Sequence, residues 1–276
     1  MTRVAVVTGG NRGIGFAIVK RLCKQFDGVV YLTARDVIQG QDAIKELEKQ
    51  GLNPKFHQLN IGDISSIITF RDYLKKTYQG LDILVNNAAI AFETTTRIPY
   101  IIQAEETLRV NYYSLRKVCC ILYPLLKTHA RVVHMSSSCG RLSNIPGKSL
   151  KKRISDPNLT ELELDDIMYE FIEAAKTNSH VEKGWITNAY IVSKIGVTAL
   201  ARIHQRMFNS DIREDIVVNA VHPGYVATDM TGHQGTLKPD EGAEAPVYAA
   251  LLPENTDIKG KYIWYDKSLK EWTKDE

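Results

Sequence analysis

Thr8-Gly9-Gly10-Asn11-Arg12-Gly13-Ile14-Gly15 is the stretch on which the fold turns. It follows Val4-Ala5-Val6-Val7, a short, mostly β-branched run of the kind a parallel strand buried on both faces requires. Beyond it Ile14, Ala17, Ile18, Arg21, Leu22 and Phe26 recur at helical spacing, so a helix begins near Ile14. Gly9, Gly13 and Gly15 remove the Cβ atoms that would hold a pyrophosphate away from backbone N–H groups. The helix N-terminus adds unpaired donors and a partial positive charge. The spacing is T-G-x-x-x-G-x-G rather than the widely shared G-x-G-x-x-G, and a glycine cluster alone is often only a turn. Its place between a strand and a helix is what makes it a phosphate site.

Outward from this loop the chain alternates. Residues 29–34, 55–59, 81–85, 131–135, 216–221 and 261–265 read as strands. Helices are expected at about 40–50, up to Tyr78, from about 103 to 126, from 190 to 207 and after Pro239. This alternation predicts an α/β fold, a doubly wound parallel (Rossmann) sheet with right-handed crossovers, in one domain spanning residues 1–276. The departure is an insertion at about 141–186 with its own amphipathic helix, in which Leu164, Ile167, Met168, Phe171, Ile172 and Ala175 share a face. That face must pack on something: the insertion caps the substrate cleft, covers a surface used elsewhere for oligomerisation, or both.

Composition excludes several classes. With 44% hydrophobic and 24% charged residues the chain is an ordinary globule, and a net charge of +3 with scattered Lys and Arg gives no nucleic-acid stripe. The longest apolar run, 118–126, is broken by Pro124 and too short for a bilayer. No charged-then-apolar leader precedes Val4, so a cytoplasmic location is expected and no membrane partner. The four cysteines, Cys23, Cys119, Cys120 and Cys139, have no metal-ligand spacing, and no metal is expected. Cys119 and Cys120 read as buried thiols in an apolar helix; Cys139, just after Ser136-Ser137-Ser138, is the one to watch, though the plain reading is an inert thiol.

Arg35 stands twenty residues beyond Gly15, at the end of the second strand, where dinucleotide folds carry an acid that accepts the ribose hydroxyls. A planar cation there forks onto phosphate oxygens, and Arg12 adds a second, so NADPH is expected over NADH. Asp36 opposes this, since it could rotate into the same space. Asn60 and Ile61, at the carboxyl end of the third strand, are placed to contact the adenine. In Asn86-Asn87-Ala88-Ala89 the small residues let backbone approach a ribose while amides tie neighbouring loops. Asn111, a poor interior helix residue, suggests a local break holding water.

Tyr190 and Lys194 lie at i and i+4 and so share one helix face, where an ammonium can lower a phenol's pKa and ease proton donation. The pair alone is a weak signal, because Tyr123 and Lys127 form a second one beside Pro124. Order decides: glycine loop, Asn86-Asn87, Asn111, Ser137, Tyr190, Lys194, then Pro223-Gly224.

With those motifs in place the chain resembles the short-chain dehydrogenase/reductase family, and within it the NADPH-dependent carbonyl reductases of animals. The resemblance covers nearly the whole chain, including Leu32-Thr33-Ala34-Arg35-Asp36, Phe56-His57-Gln58-Leu59, Lys194-Ile195-Gly196-Val197-Thr198 and Thr228-Asp229-Met230. It implies a catalytic tetrad, Asn111, Ser137, Tyr190 and Lys194, that reduces ketones, aldehydes or quinones to alcohols. Ser137 would bond the substrate oxygen, Tyr190 give the proton, Lys194 hold the nicotinamide ribose, and Asn111 hold a water linking Lys194 to solvent. Ser136 and Ser138 remain substitutes for Ser137. The implied NADPH-binding set is Gly9, Asn11, Arg12, Gly13, Ile14, Gly15, Arg35, Asn60, Ile61, Asn87, Tyr190, Lys194, Pro223, Gly224, Val226, Thr228, Asp229 and Met230. Gln39 for a second arginine, Asn60 for aspartate, Ala89 for glycine, His222 for cysteine and Tyr225 for tryptophan depart from the pattern. Phe92 and Gln103 resemble positions that accept glutathione adducts, and the long insertion goes with a monomer. Two other readings stay open: an NADPH-binding regulator with little turnover, and an NAD(P)-dependent alcohol or steroid dehydrogenase.

Overall fold

The computed structural model describes residues 2–93 and 95–273. The glycine loop joins β1 (Val4–Thr8) to α1 (Gly13–Gln25), and β2 (Val29–Ala34), α2 (Val37–Glu48), β3 (Lys55–Gln58), α3 (Ile64–Tyr78) and β4 (Leu81–Asn86) follow in alternation. Helix α2 begins three residues before its expected start because the Asp36 carboxylate accepts the Gln39 N–H at 2.9 Å and caps it. The expected long helix at 103–126 is instead α4 (Tyr100–Leu108), a π-helical turn over Arg109–Ser114 that contains Asn111, and α5 (Leu115–Leu122). Such bulges mark places where side chains compete with the regular ladder, which is the break the mid-helix asparagine signalled. Pro124 then ends the helical path in a short turn, and β5 (Leu126–Met135) starts five residues earlier than its apolar core at 131–135 indicated.

The insertion holds α6 (Lys148–Ile154) and α7 (Glu161–Lys176), the latter opened by a Thr160–Glu163 capping box. Every residue of the anticipated apolar face of α7 is buried, against α4 and α8 (Ala189–Phe208). After α8 come β6 (Val217–Val221), α9 (Pro239–Gly242), α10 (Glu244–Ala250), β7 (Tyr262–Ile263) and β8 (Leu269–Lys270).

The sheet order is β3-β2-β1-β4-β5-β6-β7-β8. Strands β1 to β7 pair in parallel, but β8 turns back antiparallel on β7, so the sheet is not purely parallel and the expected final strand at 261–265 is only the first arm of a hairpin. Alternate residues of β1 feed two cores: Val4 and Val6 one, with side chains of α3, α5, α7 and α8, and Ala5 and Val7 the other, with those of α1, α2 and α10. The Arg131 guanidinium on β5 is buried against Asp215 at 2.9 Å, a paired charge in the core rather than a functional group. Among the described residues no helix is long and apolar enough to cross a membrane.

Candidate active site

At the carboxyl edge of the sheet the chain leaves β1 through Gly9 at φ 63° and Gly13 at φ 55°, conformations that favour glycine. A Cβ on Gly15 would stand 2.2 Å from the Gly9 carbonyl oxygen and 2.5 Å from Asn87 Nδ2, so that position is closed to any side chain. Asn87 braces the loop from β4: its Nδ2 donates to the Thr8 and Gly9 carbonyls at 2.9 and 3.0 Å, and the Asn87 and Ala88 N–H groups donate to Thr8 Oγ1 at 2.9 and 3.0 Å. The expected tie between loops is therefore made by Asn87, while Asn86 is buried and faces His134 instead, at 3.1 Å.

Around this loop lie the remaining cofactor candidates. Arg35 is exposed at the end of β2. Asp36 does not compete for its space, because its carboxylate caps α2. Arg12 pairs with Asp229 at 3.0 Å on the open surface, and Asn11 Nδ2 donates to Gln39 Oε1 at 3.1 Å. The Thr228 methyl sits 3.2 Å from where a Gly13 Cβ would be, which brings the 223–230 segment over the glycine loop. Within that segment Gly224 has φ 90° and Met230 is exposed. Val226 is buried with its side chain against Gly242, so only its backbone faces this edge. Ile61 likewise packs on the core, and Asn60 Oδ1 accepts the Gly62 N–H at 3.1 Å in a local turn. Ile14 opens α1 half-buried against the second core.

Helix α8 is capped by Asn188, whose Oδ1 accepts the Ile191 N–H at 3.0 Å, so Tyr190 and Lys194 occupy the first turns on one face. The Lys194 ammonium lies 5.5 Å from the centre of the Tyr190 ring. Ser137, two residues beyond β5, lies beside the Tyr190 phenol and acts to lower its pKa. Ser136 is excluded from that role: it is buried, with its hydroxyl 2.6 Å from Thr198 Oγ1. Asn111 Oδ1 accepts the Ile90 N–H at 2.8 Å, and its Nδ2 donates to the Ile90 carbonyl at 2.9 Å and to Ser193 Oγ at 3.1 Å. Its amide thus ties the loop after β4 to α8.

The expected depression of the Tyr190 pKa is not what this geometry produces. Burial pushes the phenol well above its ordinary value, the nearby Cys139 thiol adds to the rise, and Ser137 only partly opposes it. Lys194 Nζ is turned away to the Met135 carbonyl at 2.7 Å, and burial brings its own pKa down to about 8.

Two further arrangements escaped the sequence. Cys119, His134 and His204 bring their ligand atoms within 4.8 Å of one another inside the core, from α5, β5 and α8. Each has partners already: Asn86 faces His134 and lies 3.5 Å from Cys119 Sγ, His134 Nε2 is 3.2 Å from His204 Nδ1, the Tyr123 hydroxyl is 2.6 Å from that atom, and Glu161 is 3.3 Å from His204 Nε2. No linear spacing reveals a cluster assembled from three elements. Cys120, expected to be buried beside Cys119, is exposed, because successive helical residues point about 100° apart. The second arrangement holds the Ser137–Ser138 peptide between His222 and Tyr262.

A family model described as short chain dehydrogenase matches residues 3–149. The chain belongs to the short-chain dehydrogenases. It is 46% identical over 271 residues to Homo sapiens carbonyl reductase (NADPH) 1, covering 98% of each chain. To Homo sapiens carbonyl reductase (NADPH) 3 it is 47% identical over 274 residues, covering 98% of this chain and 99% of the other. Among solved structures, salutaridine reductase from Papaver somniferum superposes with a TM-score of 0.85 at 32% identity, over 96% of this chain and 99% of that one. In this short-chain dehydrogenase Ser137 lies just beyond β5 and Tyr190 and Lys194 share the first turns of α8.

Proposed function

We propose that this chain reduces ketones, aldehydes or quinones to alcohols with NADPH, and that Tyr190 donates the proton. The observation that carries the reading is the placement of Tyr190 and Lys194 on one face of the first turns of α8, with the Ser137 side chain near enough to the phenol to oppose its pKa rise, at the sheet edge that holds the glycine loop. The loop fits a dinucleotide diphosphate, because no side chain can occupy Gly15 and none caps the N–H groups at the start of α1. NADPH, when bound, supplies the hydride. Gly9, Asn11, Gly13, Ile14 and Gly15 would hold its diphosphate, Arg12 and Arg35 its 2′-phosphate, Asn60 and Ile61 its adenine. Asn87, Lys194 and the segment Pro223, Gly224, Val226, Thr228, Asp229 and Met230 would hold its nicotinamide half.

As charge builds on the substrate oxygen, Ser137 donates to it and Tyr190 transfers its proton, so stabilisation is aimed where charge develops. Burial keeps the phenol protonated but makes it a weaker acid, so the donation relies on the Lys194 ammonium to stabilise the phenolate left behind. Asn111 holds Ile90 and Ser193, the neighbour of Lys194, in place.

The insertion supports a monomer, since α7 already covers the outer faces of α4 and α8. The four cysteines are unpaired, as a reducing cytoplasm maintains. Glutathione adducts are a further candidate substrate class; Gln103 Nε2 donates to the Ile98 carbonyl at 2.8 Å, which leaves its amide oxygen for such a group. Steady-state oxidation of NADPH with a panel of carbonyls and their glutathione adducts tests the whole reading, with Tyr190→Phe as control. Undiminished turnover by that variant would remove the mechanism.

A further inference from the structure

We propose that His222 and Tyr262 are positioning residues that grip the peptide between Ser137 and Ser138 and so aim the Ser137 hydroxyl at the reacting oxygen. The inference rests on the reading of Ser137 as the donor to that oxygen. One peptide unit carries the carbonyl of Ser137 and the N–H of Ser138, and side chains hold both ends. The Tyr262 hydroxyl, from β7, donates to the Ser137 carbonyl in a short bond. The Ser138 N–H donates to His222 Nδ1, at the end of β6, at 2.9 Å. A peptide plane held at both polar groups cannot rotate about the Ser137 Cα–C bond without breaking both contacts.

The rest of the site transmits this to the hydroxyl. Ser137 is extended, at φ −166° and ψ 165°, and its Oγ accepts the Cys139 N–H at 3.2 Å. With that lone pair occupied by a donor from inside the turn, the hydroxyl proton is left to point outward, toward Tyr190 and the cleft. His222 is held in turn: it is buried, its ring lies 4.7 Å from that of Trp264, and the Arg141 guanidinium covers Trp264 at 4.3 Å. To accept from Ser138 its Nδ1 must be unprotonated, and burial together with Arg141 brings its pKa down to about 4. The Gly224 N–H approaches the same nitrogen at 3.4 Å, so one imidazole joins the serine turn to the segment that follows β6.

The experiment measures carbonyl reduction by Tyr262→Phe, His222→Leu and His222→Asn, each alone and in a Ser137→Ala chain, with NADPH affinity from fluorescence titration as a check on folding. Tyr262→Phe and His222→Leu are expected to lower kcat about tenfold, part of the roughly hundredfold that misplacing a reacting group by 1 Å can cost, with NADPH affinity changed less than about twofold. His222→Asn, whose amide oxygen can take the place of Nδ1, is expected to recover most of the loss. In the Ser137→Ala chain none of the three should lower kcat further. Unchanged kcat in both Tyr262→Phe and His222→Leu, or equal losses with and without Ser137, would overturn the grip while leaving the serine's role intact. Full turnover by Ser137→Ala alone would instead overturn the reading of the serine, and the grip with it. Should His222→Leu lose NADPH binding, Tyr262→Phe and the recovery in His222→Asn decide.

Discussion

The chain contains two Tyr-x-x-x-Lys pairs, and their surroundings differ more than their letters do. Tyr190 and Lys194 lie within α8, on one face, beside Ser137. Tyr123 and Lys127 are divided between a short turn and β5, because Pro124 stops the helix between α5 and the strand. The Tyr123 hydroxyl is fixed to His204 at 2.6 Å in the core, and Lys127 reaches Asp82 at 2.9 Å near the opposite end of the sheet. Spacing proposes a face; only continuous helix delivers it. One pair is therefore available for chemistry and the other is part of the frame.

The largest test of that contrast is Tyr190→Phe against Tyr123→Phe. Removing the proton donor is expected to lower kcat by about a thousandfold with NADPH binding retained, within the range assigned to a positioned general acid. The same deletion at Tyr123 should leave kcat within about twofold and lower stability by about 1–2 kcal/mol, since His204 loses one buried hydrogen bond and keeps its approach to His134 at 3.2 Å. Steady-state rates and urea melts of both variants measure this, and equal kinetic losses would erase the contrast.

Next in size is the charge on Lys194. Its pKa of about 8 lies below the ordinary lysine value, so the ammonium is intact below that pH and is lost as pH rises through it. The kcat/KM for carbonyl reduction is accordingly expected to be level below about pH 8 and to fall above it. Lys194→Arg, which keeps a cation at every accessible pH, should flatten the fall at the expense of a lower plateau, about tenfold, from the altered reach. A profile still level at pH 9.5 in the unmodified chain would show that Lys194 does not govern the step.

What could be read from the sequence, and what could not, follows the range of the forces involved. The glycine loop, the α7 face and the break at Asn111 were legible because strand, turn and helix preferences act over a few neighbours, and the structure places each where its letters indicated. Asp36 was ambiguous from its letter alone: an acid near a ribose site and an acid that caps a helix look the same until the Gln39 N–H is seen to point at it. The direction of Lys194 was not legible, since its partner is a backbone carbonyl on β5 with no signature in the residue type. Nor was the hold on Ser137, because His222 and Tyr262 reach it from β6 and β7, and their meeting depends on strand order rather than on spacing.

The smallest effect sharpens the contrast from the structural side. Lys127 Nζ bonds the Thr2 carbonyl at 3.1 Å as well as Asp82, and Asp82 Oδ2 also accepts the Val4 N–H at 2.7 Å. In Lys127→Met the carboxylate therefore keeps a backbone donor, and the lysine stem, which packs against Gly80, keeps an apolar replacement. The pair is only partly shielded, with side chains 22% and 15% exposed, so its loss should cost no more than about 1 kcal/mol and leave kcat unchanged. Equilibrium unfolding and steady-state kinetics of this variant check both halves. A tenfold fall in kcat would mean that the β4–β5 end of the sheet acts on the site from a distance, and the division into a reacting pair and a framing pair would fail.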